Sequence, residues 1–323
     1  MRASELADRV LAGDRRAVAR AISKVEDGSK ELPALSAALY PNTGRAYTIG
    51  LTGSPGVGKS SLAAHLVQAG RARDQTVAVL AIDPTSPFTG GALLGDRLRM
   101  QAHATDPGVF IRSMATRGHL GGMALAAPEA IRILDASGRD VVIVETVGVG
   151  QAEVEVATAA DTTLVVLQPG WGDAVQAAKA GILEIADVFV VNKADKEGAK
   201  DVVRDLKSML RMGPKLSWEP PIVLTSTIDG SGIDDVWEAV QAHHGHQKST
   251  GELESKRAKR ILEEVENMVA LRLRARTAGL LDAGEESNLA EDLANRKVDP
   301  YQAADALLER ITREGQGRGD EGR

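Results

Sequence analysis

Short apolar runs alternate with helical segments along most of the chain. Seven such runs, rich in Val and Ile, lie between about residues 46 and 245. Because they are mostly apolar on both faces, they predict strands buried in a parallel sheet that helices cover on both sides. The runs are Ala46–Thr52, Thr76–Ile82, Val109–Arg112, Val141–Glu145, Thr163–Gln168, Val188–Val191 and Ile222–Ser226. The pattern therefore predicts a doubly wound α/β fold with a mostly parallel sheet.

Both ends of the chain show the spacing of amphipathic helices instead. Near the amino terminus, Leu6, Val10, Leu11, Val18 and Ile22 recur at helical spacing among charged residues. Towards the carboxyl end, helices are predicted from Glu252 to about Thr277 and from Pro300 to Thr312, and their charges are typical of solvated faces. We therefore expect a helical extension over 1–42, an α/β domain over 43–247, a helical region over 248–313 and a disordered tail over 314–323.

The segment between the α/β domain and the carboxyl-terminal helices is polar. It reads HHGHQKSTG, from His243 to Gly251, which predicts a linker. Three histidines in such a tract could bind a metal ion, but in a polar linker we interpret them as solvated. His65, on the helix that follows the first strand, is interpreted as a packing residue.

Composition excludes several classes of site. The 323 residues carry a formal net charge of −6, so no basic surface for nucleic acid or for an anionic membrane is expected. The absence of cysteine excludes disulfides, zinc–thiolate sites, iron–sulfur clusters and thiol catalysis. With no signal-like amino terminus and no apolar run long enough for a membrane span, a cytoplasmic location is expected.

A phosphate-binding motif follows the first predicted strand. Residues 53–60 read GSPGVGKS and precede a helical pattern, which is the context that G-x-x-x-x-G-K-[ST] requires. Backbone N–H groups of such a loop point at phosphate oxygens, the lysine reaches the β- and γ-phosphates, and the serine hydroxyl binds Mg²⁺. The alternative is a glycine-rich turn without a ligand. The predicted contacts are Gly53, Ser54, Pro55, Gly56, Val57, Gly58, Lys59, Ser60 and Ser61.

A second motif, Asn192-Lys193-Ala194-Asp195, follows the strand Val188–Val191 and resembles the guanine-specificity motif of GTPases. The Asp195 carboxylate can accept hydrogen bonds from both N1–H and the 2-amino group of guanine, which adenine lacks there. GTP is therefore favoured over ATP, although an Asn-Lys-Asp loop can also be merely solvated. Ser226 and Thr227 are placed for a loop that closes over the base.

Acidic residues at strand ends provide candidate magnesium ligands. Asp83 and Glu145 each end an apolar strand, at the sheet edge where ligands bind in open α/β folds, and Asp96 is a third nearby acid. With Ser60 they form the predicted metal set, although each acid could also be a helix cap or a solvated charge. Glu145-x-x-Gly148 looks like a variant of the D-x-x-G motif that senses the γ-phosphate.

The position that follows this motif predicts slow intrinsic hydrolysis. Ras-like enzymes orient the attacking water with a glutamine directly after the D-x-x-G glycine. Here that residue is Val149, and the nearest glutamine is Gln151. Another group or a partner would then complete the site. Arg97, Arg112, Arg117 and Lys179 are candidate charge stabilisers among which spacing does not choose.

Four longer stretches resemble one family, the methylmalonyl-CoA-mutase-associated GTPases of the MeaB/ArgK type. They read GSPGVGKSS, IDPTSPFTGGALLGDRLRM, ETVGVGQAEVEV and QPGWGDAVQAAKAGILEIADVFVVNKAD. The resemblance implies a P-loop GTPase domain in which Asp83, Asp96 and Glu145 belong to the magnesium and switch region. It also implies a further mobile switch with Asp173 and Lys179. The catalytic set implied is Lys59, Asp83, Glu145 and Lys179.

The same resemblance implies partners. Members of this family are homodimers whose carboxyl-terminal helices form a dimerisation arm. They bind methylmalonyl-CoA mutase, an adenosylcobalamin enzyme, and use GTP to gate cofactor loading and protect the mutase from inactivation. Trp171, in a glycine-rich loop, is a candidate switch or partner contact.

Three other functions stay open from the residues alone. A kinase of a lysine/arginine/ornithine transport system would need an acceptor hydroxyl site, and no dedicated base for one is evident. A nickel or cobalt metallochaperone would be expected to carry a metal store with cysteine, which this sequence lacks. A nucleotide-gated binding module that scarcely hydrolyses GTP is the third.

Overall fold

The computed structural model describes residues 2–83, 105–115, 122–146, 159–170, 184–213, 217–280 and 283–317. At 83, 115, 122–125, 280, 283–286 and 314–317 it describes the backbone only. The chain divides into two compact units, Met1–Ile261 and Leu262–Arg323. The predicted domain boundaries at 42/43, 247/248 and 313/314 stay predictions.

The amino-terminal extension consists of three helices: α1 (Ala3–Leu11), α2 (Arg15–Glu26) and α3 (Leu32–Leu39). Asp14 separates the first two because its carboxylate accepts hydrogen bonds from the N–H groups of Arg16 and Ala17, which caps α2. The predicted apolar positions are buried except Leu11, which is 37% exposed.

Within the residues described, seven parallel strands form one sheet, in the order β3-β2-β4-β1-β5-β6-β7. All seven strands were predicted, and their ends differ from the predicted ones by at most three residues. The strands are β1 (Tyr47–Thr52), β2 (Val77–Asp83), β3 (Val109–Ala115), β4 (Val141–Thr146), β5 (Thr162–Leu167), β6 (Val188–Val191) and β7 (Ile222–Leu224).

Helices cover both faces of the sheet, which confirms the doubly wound α/β prediction. Helices α4 (Lys59–Arg71), α5 (Gly122–Ala136) and α6 (Ala199–Met212) follow strands β1, β3 and β6. Alternate residues of a strand enter different cores: Val79 packs with residues of α4, whereas Leu80 packs with the amino-terminal helices and α5. The carboxyl ends of β1, β4 and β6 lie along one edge of the sheet, where each is followed by a predicted motif.

The segment predicted as a linker is helical, and this prediction was wrong. Helix α7 runs from Ile233 to Thr250, and α8 begins directly afterwards, at Glu252, and ends at Leu280. Along α7, Val236, Val240, His243 and Gln247 recur at helical spacing and are buried. The polar residues at 243 and 247 hid this buried face from an analysis based on apolar periodicity.

His243 is a structural residue rather than a solvated one. Its side chain is 3% exposed, Nδ1 lies 2.7 Å from the Thr162 hydroxyl, and Nε2 lies 3.4 Å from the Asp187 carboxylate. Burial lowers the pKa of His243 below its ordinary value of 6.5, although Asp187 acts in the opposite direction. The folded chain therefore keeps this imidazole neutral more readily than the unfolded chain does.

We expect the free energy of unfolding to fall as pH decreases below about 6.5, since the unfolded chain then takes up a proton that folded His243 resists. Urea unfolding at pH 7.5 and pH 5.5 measures this effect. His243→Asn should reduce the difference in unfolding free energy between the two pH values. Part of the difference should remain in this variant, because burial also lowers the pKa of His244. Thr162→Val is the control: it removes the hydroxyl bonded to His243, so it should weaken the fold at both pH values. An unchanged pH dependence in His243→Asn would contradict the assignment.

A buried ionic cluster anchors the start of α8 to the sheet. Asp161, just before β5, is 1% exposed, and its carboxylate accepts hydrogen bonds from Arg257 Nε at 3.0 Å and Nη2 at 2.6 Å. Arg260 lies 3.3 Å from the same carboxylate. Burial alone would raise the pKa of Asp161, but the hydrogen bond and charge of Arg257 outweigh it, so the pKa is lowered. We call Asp161, Arg257 and Arg260 the Asp161 clamp.

The second unit contains the rest of α8, α9 (Ala283–Ala294) and α10 (Pro300–Gly317). Helix α10 begins at a proline and is capped by the Asp299 carboxylate, which accepts from Tyr301 N and Gln302 N. It extends to Gly317, beyond the predicted end at Thr312. Within the residues described, no helix has the length and apolar character needed to cross a membrane.

Candidate functional site: a nucleotide-binding edge of the sheet

The phosphate loop curls between β1 and α4. Gly53 and Gly58 have φ angles of +134° and +100°, which residues with a side chain rarely adopt. Lys59, the first residue of α4, is 6% exposed, and its ammonium group donates to the carbonyls of Gly53 and Ser54. A cation and the amino terminus of a helix thus meet inside one loop, which is an anion-binding arrangement.

Gly53 is the position in this loop where a side chain costs most. A Cβ atom there would lie 2.2 Å from the Val166 carbonyl oxygen of β5, whereas at Gly56 it would meet nothing within 4 Å. We expect Gly53→Ala to lower the free energy of unfolding by about 3 kcal/mol, from strain plus displaced backbone, and Gly56→Ala by about 1 kcal/mol, from strain alone. Urea unfolding without nucleotide tests both. Equal losses of unfolding free energy in the two variants would show that the close approach of Gly53 to β5 adds no cost of its own.

Ser60 and Glu145 meet beside this loop. Glu145, near the end of β4, is 2% exposed, and one of its carboxylate oxygens accepts a hydrogen bond from the Ser60 hydroxyl at 2.5 Å. Asp83 is the last residue of β2, the strand next to β4, and its side chain lies outside the description. The structure thus brings together two members of the predicted metal set that are 85 positions apart in the chain.

The oxygen atoms at this point suit a magnesium ion. Mg²⁺ prefers hard oxygen ligands and commonly keeps several waters, so one hydroxyl and one carboxylate are a sufficient protein contribution. The Thr52 and Thr146 hydroxyls, at the ends of β1 and β4, are also buried and have no hydrogen-bond partner within the described part of the chain. No cluster of three or more His, Cys, Asp or Glu residues is found among the described residues. The residues therefore fit Mg²⁺ bound mainly through a ligand and water.

Arg112, one of the candidate charge stabilisers, has other partners in the structure. Its guanidinium pairs with Glu26 of α2 at 2.5 Å and with the Ser23 hydroxyl at 2.8 Å. It is therefore occupied in anchoring the amino-terminal helices. The other residues that the sequence analysis named but that lie outside the described part of the chain are Asp96, Arg97, Arg117, Gly148, Val149, Gln151, Trp171, Asp173 and Lys179.

Asn192 joins the second motif to the phosphate loop. It is fully buried, its Nδ2 donates to the Val57 carbonyl at 2.7 Å, and its Oδ1 accepts from the Thr225 hydroxyl at 3.2 Å. Gly58 is needed here too, since a Cβ atom would lie 2.3 Å from Asn192 Nδ2. One amide side chain therefore fixes the phosphate loop, the end of β6 and the segment after β7 relative to each other.

Lys193 continues the same connection. It has a positive φ of 58°, and its ammonium group donates to the Gly56 carbonyl at 2.6 Å and to Gln168. Gln168, which follows β5, is a contact that sequence reasoning missed, because no motif pairs it with residue 193. The lysine stem is thereby held across the mouth of the phosphate loop.

Asp195 and the segment after β7 complete this side. Asp195 is exposed, so its carboxylate is accessible to a base. Ala194 N donates to the Thr225 carbonyl at 2.9 Å, which ties the motif to the neighbouring segment. Ser226 is buried and Thr227 partly so. The phosphate loop, an exposed carboxylate and a candidate closing loop therefore surround one region of the sheet edge.

Comparison with known proteins decides the family. Residues 16–280 match the family described as methylmalonyl-CoA mutase-associated GTPase MeaB. The chain belongs to the MeaB family. A protein of Pyrococcus abyssi that carries the name GTPase is 48% identical over 95% of this chain and 96% of its own length.

Two further matches extend this relationship. The mitochondrial methylmalonic aciduria type A homolog of Caenorhabditis elegans is 37% identical, over 77% of this chain and 67% of its own length. Among solved structures, a LAO/AO transport system kinase superimposes with a TM-score of 0.72 at 27% identity, covering 96% of this chain and 97% of that one. The prediction of a P-loop GTPase fold is thus confirmed. The chain is a GTPase that converts GTP and water to GDP and phosphate.

Proposed function

We propose that this MeaB-family GTPase is a nucleotide-gated chaperone of an adenosylcobalamin-dependent methylmalonyl-CoA mutase. In this role it gates loading of the mutase with cofactor and protects the mutase from inactivation. The family match carries the proposal because it spans residues 16–280, which include both nucleotide motifs and all of α8. The relative named for methylmalonic aciduria supports the same client.

In the proposed nucleotide site, the phosphate loop from Gly53 to Ser61 binds the phosphates and Lys59 offsets the charge of the transferring group. Ser60 and Glu145, with Asp83 and Asp96, would hold Mg²⁺, which would stabilise the negative charge of the β- and γ-phosphates. Hydrolysis forms a bond between the water oxygen and the γ-phosphorus and breaks the bond to the β–γ bridging oxygen. Lys179 stays a candidate catalytic residue.

On the base side, Asn192 fixes the loops, the Lys193 stem covers one face of the purine, and Asp195 accepts hydrogen bonds from guanine. Ser226 and Thr227 close over the base. Asn192 and Lys193 already contact the phosphate loop through Val57 and Gly56, which supports this assignment. Recognition of the base and of the phosphates would then be parts of one connected site.

Gating requires that GTP have different affinities for two switch states, since a ligand that binds both equally shifts nothing. The γ-phosphate can hold switch loops through the metal and backbone N–H groups, and hydrolysis releases them. The protein would act in the cytoplasm as a homodimer formed through its carboxyl-terminal helices. The client would then sense the nucleotide through the state of these switch loops.

The decisive experiment is capture of binding partners from native lysate with the tagged chain, loaded with GDP or with a non-hydrolysable GTP analogue. We expect a cobalamin-dependent acyl-CoA mutase to be enriched, and in different amounts in the two states. Purified mutase should then accelerate GTP hydrolysis. If no cobalamin enzyme is enriched in either state, the chaperone role is wrong, although the GTPase assignment stands.

A kinase is the second candidate, favoured by the structural match to a protein titled a transport system kinase. It would transfer the γ-phosphoryl group to a protein hydroxyl rather than to water. Incubation with γ-³²P-GTP and a purified periplasmic lysine/arginine/ornithine-binding protein separates the two functions. Label on the protein would support the kinase, whereas release of inorganic phosphate alone supports the GTPase chaperone.

A further inference from the structure

The segment after β7 contains a compact turn, residues 226–231, whose described hydrogen bonds lie mostly within it. Ser226 N donates to the Ser231 carbonyl at 3.1 Å, Gly230 N donates to the Ser226 carbonyl at 2.9 Å, and Ser231 N donates to the Asp229 carboxylate at 3.0 Å. At its tip, Ile228 is 81% exposed. We call residues 226–231 the closing loop. Thr225, which precedes the turn, is fixed by Asn192, and an outside contact would hold the turn itself in position.

His65 provides such a contact. Its Nε2 atom lies 3.1 Å from the Thr227 carbonyl oxygen, across 162 positions of sequence. A carbonyl oxygen only accepts hydrogen bonds, so the contact requires a proton on Nε2. Among the hydrogen bonds that the structure describes for the closing loop, this one reaches a different element of the fold, helix α4.

Helix α4 also carries the phosphate-binding end of the site. It begins at Lys59, and His65 lies six residues later, about 9 Å along the helix axis. One rigid helix thus holds the phosphate loop at its amino terminus and the closing loop on its side. The distance between the two ends of the nucleotide site is thereby fixed by the helix instead of by loops alone.

We propose that His65 is a positioning residue for guanine nucleotide binding: its Nε2–H group, donated to the Thr227 carbonyl, holds the closing loop over the base. The inference rests on the proposed placement of Ser226 and Thr227 at the guanine. His65 touches neither phosphate nor base in this proposal. It acts on nucleotide affinity through the loop and leaves the chemical step unchanged.

Three variants test this role. His65→Leu removes the donor, His65→Gln keeps an N–H group at a similar distance, and Gln68→Leu, at an exposed position of the same helix, is the control. We expect His65→Leu to raise the Kd for GDP and the KM for GTP roughly five-fold, the scale of one lost hydrogen bond, with kcat unchanged at saturating GTP. His65→Gln should restore most of the affinity. A packing role would not predict this rescue.

The outcomes separate this inference from the proposed site. Suppose that wild-type protein binds GDP. The positioning role is then wrong, and the site stands, if His65→Leu binds GDP as tightly as Gln68→Leu does. The same holds if His65→Gln binds GDP as weakly as His65→Leu. If wild-type protein binds no guanine nucleotide, both fail. Should His65→Leu not fold, ¹⁵N NMR of the wild-type imidazole decides: a proton on Nε2 supports the role, and a neutral ring with its proton on Nδ1 overturns it.

Discussion

Asp195→Asn is expected to weaken GTP binding by about 10²-fold or more and to improve binding of xanthosine triphosphate. In the proposed site the Asp195 carboxylate would accept hydrogen bonds from two guanine donors, whereas an amide in its place offers a donor where guanine also has one. Xanthine carries an oxygen instead of the 2-amino group, so it prefers the amide. Since the Asp195 side chain is exposed, the substitution should leave the fold intact.

Calorimetric titration of both proteins with both nucleotides, in the presence of Mg²⁺, measures this exchange. Asp229→Asn is the matched control, because this carboxylate is exposed in the closing loop and binds Ser231 N of its own turn. The control should not invert the preference between GTP and xanthosine triphosphate. An unchanged preference in Asp195→Asn would show that this residue does not read the base.

The second large effect is expected at the opposite edge of the sheet, where Asp161→Ala should lower the free energy of unfolding by about 3–5 kcal/mol, since removing one partner of a buried ion pair leaves the other uncompensated. Arg257 would lose two hydrogen bonds to the carboxylate, and Thr48 N would lose its acceptor. For a domain of this size, the apparent Tm should fall by roughly 10 °C.

Thermal unfolding followed by circular dichroism tests the clamp against an exposed ion pair. Asp201→Ala breaks a 2.9 Å pair with Arg204 in which both side chains are more than 60% exposed, so it should change Tm little. Asp161→Asn keeps an oxygen for Thr48 N while removing the charge, and it should fall between the two. Equal Tm values for Asp161→Ala and Asp201→Ala would contradict a stabilising clamp.

The pH dependence of the clamp has a definite sign. Because the pKa of Asp161 lies below its ordinary value of 3.8, the unfolded chain binds a proton more readily than the folded chain does. The stabilisation is therefore complete above pH 3.8 and is lost as pH falls through the lowered pKa. Wild-type protein should keep this contribution at pH 5. At that pH the unfolding free energy has already begun to fall, because the unfolded chain takes up a proton that folded His243 resists.

Local patterns in the sequence were sufficient to predict the sheet and to locate the motifs at its edge. A strand such as β4 is a continuous apolar run because both of its faces are covered, and this signal needs no knowledge of neighbours. The phosphate loop and Asn192–Asp195 are similarly local, since each forms one turn after one strand. All seven strands were accordingly predicted.

Where buried faces contain polar residues, the same reasoning failed. His243 and Gln247 face the sheet and bond to residues around Asp161, so their helix was mistaken for a linker. The mixed polarity of 1–42 likewise concealed the breaks between three short helices. Hydrophobic periodicity has no means of recognising a polar side chain that is buried because a distant partner satisfies it.

By itself, the sequence determined the doubly wound fold and the family, and it predicted the groups proposed to bear the chemistry, because these follow from short-range periodicity and contiguous motifs. Tertiary structure alone decided which distant groups meet: Ser60 with Glu145, Asn192 with Val57, Asp161 with Arg257, and His65 with Thr227. The physical basis of these contacts is the parallel sheet. It brings together, at one edge, the ends of strands that are far apart in the chain, and each of these polar groups is paired with a group from a distant part of the sequence.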